Sequence, residues 1–316
     1  MVELIREFNK LGKNDAAIAG GKGASLGEMT QAGIPVPPGF VILSECFEKF
    51  INETEIKADI DAILHKVNHD EVSEVEDASE QIKAIIMVEE MPRDIKDEIK
   101  KAYNKLDAKF VAVRSSATAE DSSAAAWAGQ LDSFLNTTQE KLFENVKKCW
   151  ASLFTPRAIF YRFEKNLHEH HISVAVVIQK MVESDISGIA FSVHPVTQDR
   201  NQLIIEAGIG LGESIVSGQI TPDSYVVEKD KYYLLEKNIS EQEKAIVKAE
   251  GGGNTWKHIP KSEGEKQKLS DEQIMELSRL IVKIENHYKF PVDIEWAREK
   301  GKFYIVQSRP ITTLTN

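Results

Sequence analysis

The sequence predicts an α+β protein of two lobes, with mostly antiparallel sheets and a helical cap. Three observations predict it. Residues 55–106 carry apolar side chains at helical spacing. After His171 the pattern changes to short apolar runs separated by turns, as in hairpin-linked strands. The 316 residues, 42% of them hydrophobic, supply enough apolar surface for one large domain or two packed lobes. The lobes are expected at about 1–182 and 183–316 of a single module spanning 1–316.

The elements follow in order. The segment to about Phe50 mixes short strands and a helix around Gly20-Gly21-Lys22-Gly23. Residues 33–42 read as a turn leading into a short buried strand, and Ser44 as the N-cap of a helix through Phe47 and Phe50. Ile56, Ile60, Ile63, Leu64 and Val67 mark one cap helix, and Ile82, Ile85, Ile86 and Met87 another. Pro92 suits the first turn of a third, ending near Tyr103 and Leu106. Residues 110–113 and 133–136 read as strands. Thr137-x-x-Glu140 reads as a capping box for a helix through Leu142, Val146, Trp150 and Leu153. Thr155-Pro156 opens the next, carrying Ile159, Phe160 and Phe163. Residues 174–182 form an apolar strand, and further strands are expected at 186–193, 202–206, 224–228 and 232–237. Ser240-x-x-Glu243 predicts a short helix, and Gly251-Gly252-Gly253-Asn254 a flexible, charged loop. Ser270-x-x-Gln273 caps an amphipathic helix with Ile274, Leu277, Ile281 and Ile284 on one face. Two strands, 291–297 and 302–311, close the chain.

Bulk properties narrow the function. A formal net charge of −11 disfavours sequence-independent nucleic-acid binding and anionic membrane surfaces. A phosphate site would have to be a local basic pocket. Cys46 and Cys149 make no Cys-x-x-Cys pair or zinc spacing and read as small buried apolar residues. No apolar run approaches the roughly 20 residues that cross a bilayer, and no leader-type pattern opens the chain. A soluble, cytoplasmic protein is expected.

Several segments could carry chemistry. In Val113-Arg114-Ser115-Ser116-Ala117-Thr118-Ala119-Glu120-Asp121, followed by Ala128-Gly129-Gln130, an arginine ends an apolar strand and opens into a hydroxyl-rich loop. Such a loop can grip polyphosphate with backbone N–H groups and a guanidinium. In the closing hairpin, alternation puts Asp293 and Glu295 on one face, and Gln307 and Arg309 together on the second strand. Glu295 and Gln307 are candidate magnesium ligands, Asp293 a ligand or a supporting acceptor, and Arg309 a phosphate contact. A solvated strand face with an ion pair explains an isolated hairpin equally simply. Gly20-Gly21-Lys22-Gly23 lacks the register of a P-loop, yet a glycine turn before a helix can deliver Lys22 to a phosphate; a plain turn is the alternative. Residues 206–213 form a strand running into a flexible glycine loop without the Gly-x-Gly-x-x-Gly register, so a Rossmann site is rejected. Glu213 could assist a nucleotide there, or the loop is a structural turn. Gln179-Lys180-Met181-Val182 ends a strand whose backbone could read an adenine edge with Met181 against the ring; an ordinary strand end is the alternative. His168-Glu169-His170-His171 reads as a solvated helix terminus and not as a metal site.

Six motifs in order resemble one family. They are Gly-Gly-Lys-Gly-x-Ser-Leu-Gly-Glu-Met, Val-Arg-Ser-Ser-Ala-Thr-Ala-Glu-Asp, Ala-Gly-Gln-x-Asp-Ser-Phe-Leu-Asn, Ala-Ser-Leu-Phe-x-x-Arg-Ala, Gly-Leu-Gly-Glu-x-x-Val-x-Gly and Asp-Ile-Glu-Trp…Gln-Ser-Arg-Pro. The chain resembles the N-terminal nucleotide-binding domain of the phosphoenolpyruvate synthase (pyruvate, water dikinase) and pyruvate phosphate dikinase family, a domain that rifampicin phosphotransferase shares. The resemblance covers about Leu11 to Thr313. It implies an ATP-grasp-like fold with ATP between two lobes. By matching position, Lys22 and Arg114 would hold phosphates, with Ser115 also binding the nucleotide. Ala128, Gly129 and Gln130 would cover the phosphates, and Gln179, Lys180, Met181 and Val182 would receive adenine. Glu295 and Gln307 would bind Mg2+, supported by Asp293, and Arg309 would contact phosphate. The family moves the β-phosphoryl group of ATP to a histidine on a mobile domain, leaving AMP and phosphate. None of the eight histidines here lies in the family's Thr-x-x-Gly-Gly-type context, and no pyruvate-binding barrel is present. The expected partners are therefore a phosphohistidine domain and a pyruvate/PEP-binding domain, in trans or in a longer chain. A rifampicin phosphotransferase, a non-catalytic nucleotide-binding regulatory module and an ATP-grasp carboxylate ligase are the competing readings.

Overall fold

The computed structural model describes residues 2–118, 132–164 and 173–314. Helices and antiparallel strands make up both halves, as an α+β chain requires. The chain divides into two compact units. Met1–Glu28 with Pro38–Met181 form the first, and Met29–Pro37 with Val182–Asn316 the second.

The first unit is built on strands β1 (Ile5–Glu7), β2 (Gly39–Ile42), β3 (Val111–Ala117), β4 (Ser133–Thr137) and β5 (Val174–Lys180). They form one sheet in the order β1-β2-β5-β3-β4, every neighbour antiparallel. Its helices are α1 (Ala16–Gln31, whose last residues belong to the second unit), α2 (Ser44–Glu53), α3 (Lys57–Lys66), α4 (Val72–Val88), α5 (Arg93–Leu106), α6 (Leu142–Ala151) and α7 (Pro156–Glu164). Alternation splits the sheet into two faces. Val111 and Val113 of β3 with Val174, Val176 and Ile178 of β5 join a core that includes Phe47, Phe50, Trp150 and Phe154. Trp150 stacks on Phe50 with ring centroids 5.0 Å apart. The opposite face carries Ala112, Arg114 and Ser116 of β3 and Val177 and Gln179 of β5. The start of α1 packs there: a Cβ on Gly23 would sit 3.0 Å from a Val41 methyl.

The second unit contains β6 (Ile186–Phe191), β7 (Gln202–Ile209), α8 (Glu213–Val216), β8 (Asp223–Glu228), β9 (Tyr233–Asn238), β10 (Lys244–Lys248), β11 (Asn254–His258), α9 (Lys261–Gly264), α10 (Asp271–Tyr288), β12 (Val292–Glu299) and β13 (Lys302–Pro310). Six strands form an antiparallel sheet in the order β13-β12-β6-β7-β8-β9, and β10 pairs with β11 as a separate hairpin. Helix α10 buries Ile274, Leu277, Ile281 and Ile284 and packs on β7 and β12. Ser270 and Gln273 cap it reciprocally, as the sequence predicts. A buried ion pair fastens the chain after β9 to the sheet. Asp223 accepts from the Lys268 ammonium (3.0 Å), the Lys268 amide (2.8 Å), the Ser240 amide (3.0 Å) and the Tyr225 hydroxyl (2.7 Å).

Three local expectations are corrected. Thr137 does not open a capping box. It is buried at the end of β4, where its hydroxyl accepts from Asn145 (2.9 Å), and the turn begins at Thr138. Residues 240–243 form neither helix nor strand, and Gln242 turns inward to bond the end of β7. Residues 251–253 form the tight turn joining β10 to β11, with Gly252 and Gly253 at φ +93° and +71°, a region only glycine enters freely.

Candidate functional site

The first unit carries a basic and amide-bearing sheet face. Arg114 is 8% exposed on β3, opposite Val177 of β5. Gln179 lies two residues beyond Val177, so the two polar side chains are diagonal neighbours on one face, about 7 Å apart. Gln179 is 2% exposed, and its Nε2 has no hydrogen-bond partner among the described residues. An unpaired buried amide is costly and is expected where a ligand supplies the missing acceptor.

Lys22 reaches the same strand. Its Nζ donates to the Ser115 carbonyl (2.8 Å) and its backbone N–H to the Ser116 hydroxyl (3.2 Å). Ser115 is placed differently from its sequence reading. Its side chain faces the helical core, where the hydroxyl meets the Asp132 carbonyl (2.9 Å) and Ser152 Oγ (3.0 Å). It shares no face with Arg114, so only its carbonyl is turned toward the lysine. Beyond Gln179, Lys180 is exposed and bonds the Asp107 carbonyl, and the Met181 amide donates to Phe110. Val182 opens the longer segment of the second unit. Residues 119–121, the loop residues Ala128, Gly129 and Gln130, and His168 to His171 lie outside the described residues.

The second unit carries the closing hairpin. Its register sets Asp293 directly opposite Arg309 and Glu295 directly opposite Gln307, with an irregularity just after Glu295. Nε and Nη2 of Arg309 both lie 2.7 Å from Asp293 Oδ2. Burial raises the Asp293 carboxyl above its ordinary range, Arg309 works against that, and the nearby Glu295 charge adds to it. Among the described residues, no three His, Cys, Asp or Glu side chains gather as a ready-made cation cage. A cation held here would take two donors from the hairpin and the remainder from phosphate or water oxygens.

Two carboxylates flank the glycine loop after β7. Glu213 opens α8 and accepts from Asn254 (2.5 Å). The loop is pinned and not free. The Gly210 carbonyl accepts from Ser184 (3.0 Å) and Ser187 (2.5 Å), and Gln242 bonds both the amide and the carbonyl of Ile209. Glu206 carries no role in the sequence reading. Cross-strand pairing through Ile189 puts it on the same face and row as Glu295 and Gln307. Burial alone raises its carboxyl. A charged residue ending the apolar run Leu203-Ile204-Ile205 was the available signal.

Residues 16–316 match the family described as pyruvate phosphate dikinase, AMP/ATP-binding domain. The chain belongs to this family. The probable phosphoenolpyruvate synthase of Methanocaldococcus jannaschii is 44% identical over 320 residues, covering 99% of this chain and 27% of that protein. The phosphoenolpyruvate synthase of Pyrococcus furiosus is 42% identical over 357 residues, covering 98% of this chain and 44% of that protein. The rifampicin phosphotransferase of Bacillus cereus is 38% identical over 317 residues, covering 99% of this chain and 36% of that protein. The chain therefore spans less than half the length of these relatives. The family resemblance seen in the six motifs and this match agree, and the family description carries nucleotide binding with it. No helix among the described residues is long and apolar enough to cross a membrane.

Proposed function

We propose that this dikinase-family domain binds Mg-ATP in an ATP-grasp manner and donates the β-phosphoryl group to a histidine on another domain, as the nucleotide half of a phosphoenolpyruvate synthase. The observation that carries the reading is the buried Gln179 side-chain amide beside Arg114, whose Nε2 finds no acceptor among the described residues, at the strand end that would receive adenine. Lys22 and Arg114 would take phosphates on the first unit, and Arg309 would be a phosphate contact on the second. Glu295 and Gln307, opposed in register, offer the two oxygen donors that magnesium takes alongside phosphate and water. Magnesium, when bound, supplies positive charge that offsets the charge of the triphosphate. Asp293 holds the Arg309 guanidinium by both Nε and Nη2, which fixes its direction. The catalytic contribution of these residues is positioning and neutralisation, since phosphoryl transfer asks little covalent chemistry of the protein.

The test uses ATP labelled at either the β or the γ phosphorus, with and without the histidine domain of a phosphoenolpyruvate synthase relative. The β label is expected on the histidine: its attack on the β phosphorus breaks the α–β bond and releases AMP, and water then cleaves the β–γ bond to release γ-labelled inorganic phosphate. A γ label that stays on the histidine after turnover with no β label, or ADP as sole product, rejects the dikinase reading. Tight ATP binding with no AMP under any condition favours a regulatory module. The 38% identity to a rifampicin phosphotransferase keeps one second acceptor in view, and offering that relative's histidine domain in parallel distinguishes it.

A further inference from the structure

We infer that Ser116 is the positioning residue of the phosphate grip: its hydroxyl fixes Lys22 relative to Arg114. The inference rests on the proposed role of those two cations and adds a residue to it. Helix α1 is interrupted at Gly20, which has φ +67° and ψ 168°. The residues after this break begin a new helical segment, and the first amides of a helix ordinarily look outside it for acceptors. A helix is ordinarily capped by the side chain just before it, but Gly20 has none. The cap comes instead from β3, where Ser116 Oγ accepts from the amides of Lys22 (3.2 Å) and Gly23 (3.4 Å). The approach is very close. A Cβ on Gly20 would fall 2.2 Å from Ser116 Oγ and 2.5 Å from its carbonyl oxygen. Ser116 lies two residues after Arg114 on the same face of β3, about 7 Å along the strand. The Lys22 ammonium meets the carbonyl of the intervening Ser115 (2.8 Å). One hydroxyl therefore sets where the lysine backbone stands against the arginine strand.

The test measures ATP and adenosine affinities for Ser116→Ala, Lys22→Ala and the double variant, with amide hydrogen exchange at Lys22 and Gly23. Ser116→Ala is expected to weaken ATP about fivefold to tenfold and adenosine less than about twofold, and to add little on the Lys22→Ala background. Exchange at the two amides is expected to accelerate. Ser116→Cys, of similar size with a weak acceptor, should behave like Ser116→Ala and guards against a fold that fails with alanine. Ser116→Thr, which keeps the hydroxyl, should restore ATP affinity. Equal weakening of ATP and adenosine, or full additivity with Lys22→Ala, overturns the inference. Loss of ATP affinity in Lys22→Ala but not in Ser116→Ala overturns it while leaving the proposed function standing. No loss in Lys22→Ala overturns both.

Discussion

Replacing Gln179 with methionine should make the free protein more stable and its nucleotide complex weaker. The side chain is 2% exposed and its Nε2 finds no acceptor among the described residues. Leaving a buried donor unpaired costs about 1–3 kcal/mol, and methionine fills nearly the same volume without a donor. Without nucleotide, Gln179→Met is expected to gain about 1 kcal/mol in urea unfolding. If ATP supplies the acceptor, the lost hydrogen bond weakens binding by roughly 5-fold to 150-fold, and adenosine suffers alike. At an ATP concentration of about 100 times the wild-type Kd, ligand stabilisation is about 2.7 kcal/mol for the wild type. It falls to about 0.9 kcal/mol for a variant binding about 30-fold more weakly. The order of stabilities therefore reverses on adding ATP. Paired urea melts and calorimetric titrations read both quantities. A variant less stable without nucleotide, or one that binds ATP as the wild type does, refutes the argument that this amide awaits a ligand.

Other perturbations separate the parts of the site. Glu295→Ala and Arg114→Ala should each abolish phosphorylation of a separately supplied histidine domain while far-UV circular dichroism is kept; unchanged transfer in both removes the assignment. Glu295→Ala should also lose the magnesium dependence of ATP affinity, read by titration with and without the metal. Asp223→Ala leaves the Lys268 ammonium buried without its carboxylate, and should cost about 3–5 kcal/mol of stability in urea melts. Glu206 concerns pH. Its folded carboxyl lies above the ordinary value of 4.5 because it is buried, so the folded state holds its proton more tightly than the unfolded chain. Stability should therefore fall as pH rises from that value through the folded one, and Glu206→Gln should remove that part of the slope in melts from about pH 4 to about pH 7.

What could be read from the chain alone follows the range of the interactions involved. The parity of Asp293, Glu295, Gln307 and Arg309 is a period-two property of two adjacent strands joined by a short turn. Both the face and the register come from local sequence, and the structure pairs these residues one against one. The α10 cap is equally local, with Ser270 and Gln273 three residues apart. The same reasoning fails at Thr137 and Ser240. Each carries a plausible capping spacing, but a partner elsewhere in the fold claims the segment: Asn145 holds Thr137, and Asp223 takes the Ser240 amide. A spacing rule weighs only the local competitor, and here the tertiary one wins.

Ser115 and Ser116 sharpen the point, because they are chemically identical neighbours in one motif. Alternation alone says that they face opposite ways, but not which of them shares a face with the cations. Arg114 decides it. Odd positions of β3 join the helical core with Val111 and Val113, so the even set, Arg114 and Ser116, must take the other face. The hydroxyl that matters for Lys22 then follows from parity, whereas its partner, the broken end of a helix 94 residues earlier in the chain, does not. A glycine with no side chain to cap its own helix is the one trace of that contact in the sequence. It becomes legible only when the strand that supplies the cap is known.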